Sequence, residues 1–196
     1  MLATAALAIS PGPDNIYVLM QSIAHGKKYG LATVSGLISG CIIHTTLLAF
    51  GVSAIIKNND TLFFIIKLFG AAYLLYLAFQ VFKSSGDLSI SETQVPKKSV
   101  SQLFKQGFIM NVLNPKVSIF FLAFFPGFLF SNSLSTVWQF YILGFLFMAV
   151  SLIIFSGIAI LAGSISVYIK GHKNIGLYLK WLQIVVFIGI AILILL

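Results

Sequence analysis

Two stretches of this chain set polar and ionisable residues around a proline inside otherwise apolar sequence. The first is Ser10-Pro11-Gly12-Pro13-Asp14-Asn15 and the second is Asn111-Val112-Leu113-Asn114-Pro115-Lys116. Asp14 offers a carboxylate that can carry a proton or meet an ammonium group. Lys116 offers a cation for a carboxylate. Each directly follows a proline, so the two are expected to pair across the molecule, and their role is either transport or structure. A proline inside a helix frees backbone groups that hydrocarbon cannot satisfy. Such breaks persist at membrane depth where they line a cavity or pack against protein. A matched pair in the two halves of a chain points to a transporter binding site.

Gly12-Pro13 and Asn114-Pro115 both read as a cap followed by a new half-helix, with Asn114 a good N-cap. Two positive half-helix ends aimed at the centre would seat a carboxylate. Asn111 and Asn114 are deep amides that either touch a substrate or repair the broken backbone. The substrate-binding candidates are therefore Gly12, Pro13, Asp14, Asn15, Asn111, Asn114, Pro115 and Lys116, joined by His44 and Tyr73 in second rank. Asp14 and His44 are the candidates for proton coupling.

His44 lies in the middle of an apolar run and can titrate near neutral pH. It either bonds a backbone carbonyl or belongs to a pathway. Tyr73 and Tyr76 also lie deep in a run, so their hydroxyls need partners: a neighbouring helix or the cavity. Asp14, Cys41 and His44 together are a thin basis for a soft metal site. Nothing resembles HExxH, paired cysteines, a P-loop, a GxSxG elbow or a Rossmann glycine pattern. No enzyme, metal centre or cofactor is read from this sequence, and ATP-driven transport by the chain alone is not expected.

The elements that must position these residues are membrane-length. Of the 196 residues, 59% are hydrophobic and 8% charged, and the mean hydropathy is +1.05, far from the balance of a soluble domain. Six apolar runs can each cross about 30 Å of hydrocarbon: residues 2–24, 31–56, 61–83, 106–130, 136–163 and 174–196. The polar stretch 84–105 divides the chain into repeat 1 (1–83) and repeat 2 (106–196) within a single transporter domain. Three helices per half make an odd number, so repeats would be inverted: a 3+3 bundle with helices 1 and 4 broken.

The net charge of +8 is topological rather than a nucleic-acid signal. Lys27, Lys28, Lys83, Lys97, Lys98, Lys105, Lys170 and Lys173 fall in or beside loops one-two, three-four and five-six. The other side has Lys57 alone. This bias puts those three loops in the cytoplasm and both termini outside. Trp138 and Trp181 sit near span ends, where indole favours the interface. Glycines 36 and 40, in line with His44, allow close helix packing. The single cysteine, Cys41, permits no disulfide within the chain.

From Pro11-Gly12-Pro13 through Gly36, Gly40 and His44, the Lys67–Tyr76 run, Gly107-Phe108, Asn111, Asn114-Pro115-Lys116 and Phe120–Pro126, the chain resembles the LysE/RhtB family, the lysine exporter and homoserine-threonine resistance proteins. The resemblance covers about residues 10–130 by motif. It implies six spans in the bacterial inner membrane and export of amino acids or close derivatives, with proton antiport. Three features depart from the family pattern. Asp14 stands where asparagine is usual, Cys41 stands where aspartate often follows the second glycine, and the segment before the first break is short. The reading is an amino-acid exporter in a lipid bilayer, small enough to suit a homodimer. The alternatives are a metal or inorganic-cation exporter using Asp14, Cys41 and His44, and a non-transporting membrane scaffold.

Overall fold

A computed structural model describes residues 2–53, 59–85, 95–172 and 174–196, apart from the side chains of Asp60 and Lys170. The described residues are helical throughout, without strands. Lys57, Lys173 and linker residues 86–94 lie outside the described residues.

The first apolar run divides at its prolines into α1 (Leu2–Ile9) and α2 (Pro13–His25). Pro13 opens α2 at its first turn, where no N–H is needed. Gly26 then turns the chain within one residue, with φ at +96°, a left-handed value that favours glycine. Helix α3 (Lys27–Leu47) follows and runs on through a π turn at Leu48–Val52. The helix begins a turn before the expected start at 31, because Gly26 is the whole connection.

Helix α4 (Asp60–Lys83) is capped by Asn59, whose side chain accepts from the Leu62 amide at 2.9 Å. Helix α5 (Val100–Val112) begins with a Ser99/Gln102 capping box, which carries it six residues further back than the apolar run suggests. Asn114 caps α6 (Pro115–Ile119), which continues through a π turn at Phe120–Phe124 and a 3-10 turn at Phe125–Phe128. Helix α7 (Thr136–Ile160) stops at Leu161 (φ −90°, ψ 8°), so the fifth run ends before 163 and α8 (Ala162–Gly171) turns away. Helix α9 (Ile175–Leu195) closes the chain.

Four stretches are long and apolar enough to cross a membrane: Lys27–Val52, Thr61–Lys83, Thr136–Ile160 and Ile175–Leu195. A fifth joins Val100–Val112 to Pro115–Phe128 across a 48° bend. Helices α1 and α2, with 8 and 13 residues, are each too short alone.

Helices α3 and α5 meet backbone to backbone. A methyl group on Gly36 would strike the Phe104 carbonyl, and one on Gly107 would strike the Thr33 carbonyl. Lipid is as apolar as leucine, so association here relies on such close approach rather than on hydrophobic exclusion. Beside this pair lies an aromatic core. Phe121 and Phe147 cross edge-on with centroids 4.9 Å apart, and Phe120 and Phe124 stack at 4.5 Å. These contacts brace the chain directly after the second break.

Candidate functional site

Each break strands a backbone carbonyl, and each is met by an ionisable side chain from the other half. In a continuous helix the Leu7 carbonyl would accept from residue 11, but Pro11 has no N–H. The Lys116 ammonium donates to it instead at 3.1 Å, and to the Ser10 carbonyl at 3.2 Å. The Ala8 carbonyl, its helix interrupted, accepts from the Asn15 amide at 2.7 Å. In the second break the Asn111 carbonyl would accept from residue 115, which is Pro115. His44 Nε2 lies 3.0 Å from it, and the Asn114 backbone N–H donates to it at 3.0 Å. An unsatisfied polar group here would cost several kcal/mol, so these partners keep the breaks tenable.

The two breaks also touch side chain to side chain. Asn114 Nδ2 donates to Asp14 Oδ2 at 2.7 Å, while Asn114 Oδ1 accepts from the Lys116 backbone N–H at 3.0 Å. One amide therefore caps its own half-helix and holds the acid of the other. Asp14 is buried. The expected direct pairing of Asp14 with Lys116 is replaced by this arrangement: the carboxylate takes Asn114 and the ammonium takes backbone carbonyls. Physically, stranded carbonyls compete for the ammonium and win by position.

Three cavities adjoin the breaks. The first, about 480 Å³, runs from Gly12, Pro13, Asn114 and Lys116 past Tyr73 to Ser84 and Lys180. The second, about 30 Å³, shares the same four residues and is lined further by Asp14, Cys41, Asn111 and Ser151. Asn111 Oδ1 and Ser151 Oγ are buried there without a hydrogen-bond partner. A third, about 820 Å³, borders Pro11, Gly12 and Pro13 from the side of Val95 and Pro96.

Gly12, Pro13, Asp14, Asn15, Asn111, Asn114, Pro115 and Lys116 thus gather around two adjoining spaces. Tyr73 joins them on the wall of the larger cavity. His44 does not: its imidazole lies against Phe121 and borders a separate recess of about 220 Å³ with Leu48 and Ser118. Tyr76 is exposed and receives the Gln80 amide at 2.6 Å from its own helix, not from a neighbouring one. Cys41 donates to its own helix at Leu37, and among the described residues no three His, Cys, Asp or Glu side chains gather as a metal-holding group. The proposed Asp14, Cys41 and His44 cluster is not assembled.

The sequence reading missed Gln80, Lys180, Gln183 and Phe187, all on the wall of the 480 Å³ cavity. A signal was present. Tyr73, Leu77 and Gln80 share one face of α4, which Ser84 follows, and Gly176, Lys180, Gln183 and Phe187 share one face of α9.

A family model described as LysE type translocator matches residues 5–196. The chain belongs to the LysE type translocator family. It is a membrane translocator and not an enzyme. Two curated relatives are the homoserine/homoserine lactone efflux proteins of Salmonella typhimurium and Salmonella typhi. Each is 33% identical over 174 residues, which is 89% of this chain and 84% of the relative. No solved structure matches the fold. The motif resemblance read from residues 10–130 therefore extends, as family membership, through the last two long helices as well.

Proposed function

We propose that this translocator exports a small amino acid or close derivative, of the homoserine and homoserine lactone kind, across the bacterial inner membrane as a secondary transporter by proton antiport. The single observation that carries the site is the Asp14–Asn114 hydrogen bond, which joins the two breaks beside a cavity of about 480 Å³. That volume suits a small polar solute. Family membership and the efflux relatives support the direction and the solute class.

In this reading the α1–α2 pair counts as a broken span, giving six spans in two inverted sets of three. The lysine-rich loops lie in the cytoplasm and both termini outside. The 480 and 820 Å³ cavities then open inward, at Ser84, Ser85 and Pro96, where a solute bound for export would enter. Its carboxylate meets the half-helix ends at Pro13 and Pro115 and the Lys116 N–H not used by Leu7 and Ser10. Its amino group, or the exchanged proton, is taken by Asp14. His44 supports the second break from outside this space.

Counterflow in proteoliposomes with a panel of labelled amino acids tests the carrier reading. Lys116→Ala tests the carboxylate seat: substrate affinity and turnover should both fall, and unchanged values would place the carboxylate elsewhere.

A further inference from the structure

The 480 Å³ cavity has a second polar end that the breaks do not account for. Beyond Tyr73 its walls carry Gln80 on α4 and Gln183 on α9, with Lys180 one helical turn from Gln183. Gln183 also borders the 820 Å³ cavity, together with Pro11, Gly12 and Pro13, so it stands where both spaces meet the first break. Gln80 directs one amide N–H to Tyr76, which leaves its second N–H and its amide oxygen for other partners. The Lys180 ammonium is held at the mouth by the Ser84 carbonyl at 2.7 Å and lies over the Phe82 ring. Among the described residues lining this cavity there are two lysines, Lys116 and Lys180, and no carboxylate.

We infer that Gln183 and Gln80 are the residues that read the substrate's side chain, and that they select neutral, hydrogen-bonding side chains over basic ones. This rests on the placement of the substrate carboxylate at Pro13, Pro115 and Lys116. A side chain extending from there reaches two amides, which offer both donors and acceptors to a hydroxyl or a lactone oxygen. A basic side chain would instead bring a third positive charge beside Lys116 and Lys180 with no anion to balance it. An apolar side chain would leave the amides without partners. Leu77, Leu179 and Phe187 supply the apolar remainder of the wall.

The test is counterflow by the full chain in proteoliposomes, reading the ratio of labelled homoserine to labelled lysine accumulated. Wild type should favour homoserine. Gln183→Glu places a carboxylate beside Lys180 and should lower that ratio by about tenfold or more, with Gln80→Glu moving it the same way. A wild-type preference for lysine, or an unchanged ratio in both variants, overturns the inference while leaving the carrier reading standing. A flat wild-type response to every amino acid overturns the carrier reading and this inference together. A ratio is read within each preparation, so differing yields of the variants do not enter it. If one variant does not reconstitute, the other decides.

Discussion

The carboxylate of Asp14 accepts a 2.7 Å hydrogen bond from the side-chain amide of Asn114, one hundred residues further along the chain. The bond ties the start of one half-helix to the cap of the other. Around it the two halves trade partners: Lys116 serves the carbonyl stranded by Pro11, and His44 lies on the carbonyl stranded by Pro115. Neither break is self-sufficient, so a movement at one must be felt at the other. That reciprocity is what a carrier needs if solute at one half-helix end is to alter the packing of both.

Asp14→Asn separates charge from geometry. An asparagine oxygen can still accept from Asn114. We predict a folded protein whose transport no longer responds to an imposed pH gradient, measured as gradient-driven accumulation in proteoliposomes. Unchanged proton-driven transport would assign Asp14 to structure alone.

Asn114→Ala removes two things together. The α6 cap is worth about 1 kcal/mol, and a buried carboxylate left without its donor costs about 1–3 kcal/mol. A loss of about 2–4 kcal/mol is expected, read as a melting midpoint several degrees lower in detergent. Asn114→Asp, which keeps a capping oxygen but sets a second carboxylate against Asp14, should be no better. An unshifted midpoint in both variants would contradict the bridge.

Two glycines, Gly36 in α3 and Gly51 in the π turn that continues it, should respond differently to the same change. Gly36→Ala drives a methyl group into the Phe104 carbonyl, and neither backbone can yield without parting α3 from α5. Overpacking of this kind costs about 1–3 kcal/mol. Gly51→Ala meets nothing within 4 Å and should be close to neutral. Thermal unfolding of the two variants side by side checks this, and equal midpoints would contradict the close packing.

Proline made the breaks legible in the sequence. Its missing N–H and its first-turn preference are local properties, so Pro13 and Pro115 marked the half-helix starts correctly. Asn114 was legible as a cap for the same reason. The partner of each stranded carbonyl was not, because Leu7 and Lys116 are 109 residues apart and no local rule joins them. The expected Asp14–Lys116 pair shows the same limit: charge type suggested it, and backbone demand decided otherwise. Helix starts were missed where apolar composition was followed past a local signal, as at the Ser99 capping box and at Gly26 before Lys27. The clamp formed by Gln139 was invisible as well. Its side chain is 1% exposed and bonds the backbone of Phe130, Ser131 and Leu134, fixing the turn before α7. The two π turns, at Leu48–Val52 and Phe120–Phe124, carry no sequence mark that would separate them from ordinary helix.

The measurement that bears most directly on the central claim is counterflow of labelled amino acids into proteoliposomes holding the wild-type chain, with no imposed gradient. The account predicts accumulation of one or a few small neutral amino acids, homoserine among them, and loss of that accumulation in Lys116→Ala. A flat response to the whole panel from protein shown to be folded would contradict it.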